Sequence, residues 1–270
     1  MTTSTIFRFR SSKLLAGACL LAGALSLQSC TTSGSTDNIK TGSIPTGLSK
    51  PVTEMNATEL NTAASRIGDA YAKNPNDRDA GLNYANLLRM TGKNDQALAV
   101  MQQVVIRHPN DTEVLAAYGK AQAAAGQLDA ALETISRAER PDLPDWRLKS
   151  AQGAILDQLG RSTEARARYR EALDLKPNDP SVLSNLGMSY VLTKDLKSAE
   201  TYLRQAAAQP GADSSVRQNL ALVVGLQGRY PEAEKIARQE LSPTQAEANV
   251  KYLRSMMSQQ PTWNALKSQG

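Results

Sequence analysis

Few residues of this chain have wide chemical reach: two cysteines, Cys19 and Cys30, and a single histidine, His108. A histidine-centred triad or a multi-histidine metal site is hard to build around one imidazole, and His108 stands beside Pro109, where a solvated loop residue is the simpler reading. The body has no cysteine pair, no Gly-x-x-x-x-Gly-Lys phosphate loop, no Gly-x-Ser-x-Gly elbow and no Ser-x-x-Lys. Its carboxylates fall mostly on predicted solvent faces, and spacing alone leaves a carboxylate pair for sugar cleavage open. Catalysis is the poorer expectation, and no cofactor, metal or small-molecule substrate is implied. The thiols remain. Cys30 ends the stretch Leu-Ser-Leu-Gln-Ser-Cys that begins at Leu25, and it can be a core residue, half of a disulfide or a point of lipid attachment.

The surroundings of Cys30 decide among these. Arg8, Arg10 and Lys13 precede the apolar run Leu14 to Leu27, and no acidic residue occurs before Asp37. A positive flank, a short apolar stretch and a small-residue exit form a secretory signal, and the run falls short of the ~20 residues that a membrane span needs. Two processing sites compete. Ala22-Gly23-Ala24 has the small-x-small form of ordinary cleavage, whereas Leu27-Gln28-Ser29-Cys30 resembles a bacterial lipobox, which is the preferred reading. Cys19 leaves with the signal, so Cys30 has no intramolecular partner. The Ser/Thr/Gly/Pro-rich segment after it offers little to pack a buried thiol against. The lipobox resemblance implies a diacylglyceryl thioether on Cys30 and an acylated new amine, an anchor stronger than the one-chain threshold of reversible binding. Thr31 is not the aspartate of inner-membrane retention, so the resemblance implies the periplasmic face of the outer membrane.

Charge and composition narrow the body. Removing the three basic residues of the signal from 31 leaves 28 against 26 acidic residues. Basic and acidic side chains are interleaved and aromatics are only 4% of the chain, unlike the basic, aromatic-studded surface of a nucleic-acid binder. No nucleic-acid partner is expected. The organisation read from the chain is a signal peptide at 1–29, a lipidated flexible tether at 30–54 with a reach of about 25 to 30 Å, a helical array at 55–241, a closing helix at 242–260 and a short mobile tail at 261–270.

The array carries an internal period of 34 residues. Gly92, Gly126, Gly160 and Gly228 follow it, with Lys194 in the missing place. Ala97, Ala131, Ala165, Ala199 and Ala233 follow it without exception, and so do the small residues Ala85, Gly119, Gly153, Gly187 and Ala221. Pro75, Pro109 and Pro177 share one phase and end helices. These columns resemble the tetratricopeptide repeat, which implies an all-α superhelix of about five helix pairs with flanking caps. Ala63, Ile67 and Ala70 read as a half repeat before the first pair. Ser242-Pro243, with Ala246, Val250, Leu253 and Met257, reads as the closing helix.

In repeats of this type the first helices line the concave side. The resemblance therefore assigns Asn86, Arg89, Lys120, Ala154 and Asp157 to a mixed-polar groove in repeats one to three, and Met188, Val191, Leu192, Leu222, Gly225 and Leu226 to an apolar portion in repeats four and five. Two readings of the apolar portion stay open: cover by the next repeat or the closing helix, or a groove for an amphipathic partner helix. The Lys/Asn clamp that some repeat proteins use for a C-terminal carboxylate is not reproduced, its first position being Leu82, Ala116 or Ser150.

Four stretches are more distinctive: Asp145 to Arg161, Leu183 to Glu200, Val216 to Arg238 and Asn249 to Met256. With the lipidated N-terminus they resemble the TadD family of repeat lipoproteins in Flp (tight-adherence) pilus assembly. That resemblance implies a non-catalytic, pilotin-like assembly factor, with the outer-membrane secretin or another pilus-assembly protein as partner. An envelope scaffold recruiting peptidoglycan-modifying or outer-membrane assembly proteins, and an envelope enzyme with an unrecognised site, are the alternatives.

Overall fold

The computed structural model describes Val52 and residues 55–259. The signal, Cys30, nearly all of the tether and the tail expected from the sequence lie outside the described residues. Those described form twelve α-helices and no strand. A leading helix, α1 (Ala57–Lys73), precedes five pairs: α2 (Arg78–Met90) with α3 (Asn94–Arg107), α4 (Thr112–Ala124) with α5 (Leu128–Arg137), α6 (Trp146–Gln158) with α7 (Ser162–Leu175), α8 (Pro180–Leu192) with α9 (Leu196–Ala207), and α10 (Ser214–Leu226) with α11 (Tyr230–Ala237). A last helix, α12 (Pro243–Gln259), closes the order. No described helix is long and apolar enough to cross a membrane.

Each first helix starts on an aspartate. Asp77, Asp111, Asp145, Asp179 and Asp213 are 34 apart, and each side chain accepts one or two backbone N–H groups of the first turn. This satisfies donors that the helix leaves unpaired and sets a negative charge at its positive end. The column was present in the sequence among the more obvious glycine and alanine columns.

Each pair is joined by a turn that ends the first helix in a left-handed residue. Gly92, Gly126, Gly160 and Gly228 have φ between 74° and 83°, and Lys194 takes the same conformation at φ 65°. The next residue's N–H then reaches back to the helix, as from Asp195 to the Tyr190 carbonyl at 3.0 Å. Lys194 keeps that geometry against the steric penalty of its Cβ, about 1–2 kcal/mol; the turn is retained because both flanking helices are held by packing.

Within a pair the helices cross where the small column lies. A Cβ on Gly119 would fall 2.7 Å from Ile135, one on Gly153 2.6 Å from the Tyr169 ring, and one on Gly187 2.8 Å from Leu203. The alanine column sits opposite, with Ala97, Ala131, Ala165, Ala199 and Ala233 no more than 1% exposed. Small residues here let large ones from the partner helix lie across the backbone, which is how a thin layer reaches interior packing density.

The core runs the length of the stack as a chain of clusters, each shared by adjacent repeats. At the front, α1 lays Leu60, Ala63, Ala64 and Ile67 against Leu87 and is capped by the reciprocal Asn56–Glu59 box. At the back, Val250 and Leu253 of α12 pack on the last pair. First helices touch one another in sequence, α2 to α4 and onward to α12, while second helices pack chiefly on the first helices before and after them. The first helices therefore form the inner wall of the curve.

Polar ties join successive repeats outside the core. Arg78 bridges to Asp111 at 2.7 Å and Glu113 at 2.5 Å, Lys149 lies between Glu139 and Glu171, and Glu200 accepts from Gln227, Arg229 and Arg204. Burial pushes the Glu200 carboxyl up, but those three donors outweigh it and hold it below the usual carboxylate range. Each exposed pair is worth little alone; their value here is that Arg78–Asp111, Lys149–Glu139 and Arg229–Glu200 span junctions between repeats.

Candidate functional site: the inner wall

The inner wall is the natural candidate for a site, because it is a long concave surface to which every repeat contributes its first helix. On α2, the Asn86 side chain accepts from the Arg89 guanidinium at 3.1 Å and donates toward the Met90 sulfur. Lys120 projects from the middle of α4. Asn86, Arg89 and Lys120 are all solvent-accessible. Burial nevertheless pulls the pKa of both cations down, and for Lys120 the charges of Arg89 and Arg147 add to the effect against Asp145 and Glu113. Side chains that reach water yet have protein on several sides sit in a concavity. Arginine keeps its charge under any such shift.

Asp157 has a different role from the one the resemblance implied. Its carboxylate accepts the Ser189 hydroxyl at 2.9 Å and the Tyr169 hydroxyl at 3.2 Å, binding α6 to α7 and α8. Burial first, and then the Asp157 charge, push the Tyr169 hydroxyl pKa well up. Asp157 is thus an internal tie, not a free anion of the groove, because its partners come from helices 12 and 32 residues away.

The apolar portion divides between the two readings. A Cβ on Gly225 would lie 2.5 Å from Leu253 of α12, so the closing helix covers that point. Met188 and Val191 are partly buried against the core of repeats four and five, and Leu222 and Leu226 are partly buried as well. Leu192 stands open, 56% exposed. Ala154 is partly exposed on α6. His108 ends α3, where its backbone N–H donates to the Val104 carbonyl and its own carbonyl accepts from Asp111, the N-cap of α4.

Two ties escaped sequence reasoning. Asn185 donates to Ser150 at 3.4 Å and Asn219 to Ser184 at 3.1 Å, each across one repeat. Their signal was a pair of short columns, Ser150 with Ser184 and Asn185 with Asn219, again 34 apart. Tyr190 and Tyr202 also stack at 5.5 Å, with the Arg166 guanidinium 4.7 Å over Tyr190. Among the described residues no group of three or more His, Cys, Asp or Glu is placed to hold a metal ion.

Comparison with known sequences agrees with this geometry. Tetratricopeptide-repeat profiles match residues 57–120 and 88–155, then 153–193 and 180–208, together more than half of the chain. This chain is a tetratricopeptide-repeat protein. Among curated relatives, cellulose synthase operon protein C of Pseudomonas fluorescens (strain SBW25) is 26% identical over 193 residues, 65% of this chain but only 15% of that protein. The chain thus spans about a seventh of the length of that relative. Among solved structures, the tetratricopeptide-repeat protein TTC0263 of Thermus thermophilus shares the fold with a TM-score of 0.56 and 24% identity, covering 62% of this chain and 91% of that one. PilW, a type IV pilus biogenesis factor, does so with a TM-score of 0.53 and 17% identity, covering 77% and 91%. Tetratricopeptide-repeat arrays typically serve as protein-interaction scaffolds, and the accessible inner wall fits that use.

Proposed function

We propose that this protein is a non-catalytic assembly factor for Flp (tight-adherence) pili, held by lipid on Cys30 at the periplasmic face of the outer membrane, and that it binds the pilus secretin or another pilus-assembly protein. The observation that carries this reading is the inner wall: a continuous row of first helices, open at Arg89, Lys120 and Leu192, on a fold shared with PilW. The stretches that resemble the TadD family support it, since they make up α6 and α11, most of α8 and α10, and parts of α9 and α12. The lipobox-like sequence before Cys30 supplies the anchor. An exposed leucine beside partly buried ones suits an amphipathic partner helix, which offers apolar anchors at i, i+3 and i+4.

A pull-down from detergent-solubilised envelopes tests the reading. Wild type is expected to recover the secretin, and Leu192→Glu/Leu226→Glu to recover it about tenfold less, because two charges would be desolvated against an apolar helix. Equal recovery by both removes the groove. The anchor has its own check: the intact mass of the purified protein should carry the acyl chains on Cys30, and a bare thiol there would end the membrane assignment.

A further inference from the structure

Among the described residues some cations are locked in ion pairs, while others, Arg107 and Lys197 on second helices as well as two on the inner wall, have none. Along the repeat junctions the cations are paired: Arg78, Lys149, Arg204 and Arg229 each have a carboxylate within 2.8 Å. On the inner wall of the first repeats they are not. The Arg89 side chain donates only to Asn86, and no carboxylate lies within ion-pair distance of Arg89 or Lys120 among the described residues. The nearby acids are engaged elsewhere. Glu113 is held by Arg78 at 2.5 Å, and Asp145 caps α6 through the backbone N–H of Arg147. Two cations are thus gathered in a concavity that removes part of their hydration and sets them near Arg147 as well.

The wall beneath them is low. Along α4 the inward positions Ala116, Ala123 and Ala124 are partly exposed, as is Ala154, which on α6 stands where α4 carries Lys120. A methyl floor with cations beside it leaves depth for a chain to lie against the helices. We propose that this face of repeats one to three seats an acidic segment of the protein partner, its side-chain carboxylates meeting Arg89 and Lys120 above the alanine floor. This deepens the assembly-factor reading and rests on it. Opposite charge from outside would replace the hydration the cations have lost and relieve their mutual repulsion, the condition under which a partly desolvated charge pair is favourable. A nucleic acid is the poorer occupant, since the basic side chains of this chain are interleaved with acidic ones and form no continuous basic stripe.

The test uses the purified full chain and a fluorescein-labelled, C-terminally amidated peptide of about fifteen residues with glutamates at helical spacing, beside its glutamine counterpart, followed by fluorescence anisotropy. Wild type is expected to bind the glutamate peptide, to lose affinity as salt rises and to ignore the glutamine peptide. Arg89→Glu/Lys120→Glu should weaken binding about tenfold or more, and Arg89→Gln/Lys120→Gln by less. The same charge change at Arg107→Glu/Lys197→Glu, on exposed second-helix positions, should leave binding within about twofold. Equal loss in that control, equal binding of the two peptides, no binding by wild type, or tighter binding of single-stranded oligothymidylate would each overturn the proposal. The secretin pull-down separates the two levels: recovery that depends on Leu192 and Leu226 while the acidic peptide fails to bind sinks only this inference.

Discussion

Leu203→Ala is expected to cost the array about 2–5 kcal/mol, the range for truncating a fully buried leucine. Leu203 is 0% exposed in the middle of α9, against Gly187 of the first helix in its own pair and within the cluster that holds Leu220, Val223 and Val224 of the next repeat. Removing it leaves a void at a junction of two repeats, where the surrounding helices are pinned and cannot fully collapse. Because each repeat leans only on its neighbours, the damage should stay local. Urea unfolding should show the loss in midpoint, and hydrogen exchange should quicken in α8 to α11 while α2 to α5 keep their protection. An unchanged midpoint, or loosening spread evenly over all repeats, would contradict the packing described.

Gly187→Leu acts on the same contact from the other side. A Cβ there meets Leu203 Cγ at 2.8 Å, and also the Ala199 carbonyl oxygen at 3.1 Å and the Leu203 nitrogen at 3.4 Å. A side chain can turn aside, but the backbone of α9 cannot, so the two helices must separate. The expected cost is about 1–3 kcal/mol, read as a lower thermal midpoint. The two sites should also be coupled: Gly187→Ala combined with Leu203→Ala should cost less than the sum of the single changes by at least about 0.5 kcal/mol, since the alanine at 203 frees the space that the new Cβ needs. Additive costs would mean that the two residues do not face one another.

Such a separation has a functional reading. Leu192 ends α8 and Leu226 ends α10, on either side of the Gly187–Leu203 crossing. Their spacing along the inner wall is set by how closely α8 lies on α9 and α9 on α10. A variant that remains folded with α8 displaced should therefore bind a partner helix less well without any change to the residues that touch it.

Much of the fold was legible because the signals that make a helix pair are local. A turn glycine, a proline after a second helix, or a small residue at a crossing acts within a few positions of itself, and repetition every 34 residues turned each weak signal into a column. Even the missed aspartate caps belonged to that local grammar. The inner wall was legible only as a set of positions. Its chemistry depended on who stands opposite: Asp157 was drawn inward by Tyr169 and Ser189, Gly225 was covered by Leu253, Leu192 was left open, and Arg89 and Lys120 were gathered without a carboxylate.

By itself, then, the chain determined its helices, their pairing and the order in which they stack, since those follow from short-range geometry repeated five times. Which side chains of the inner wall remain free to bind was decided only by the tertiary structure. The reason is that exposure and ion pairing there arise between helices about 30 residues apart, through the rotation of one repeat on the next, and no pattern of residues along a single helix encodes that rotation.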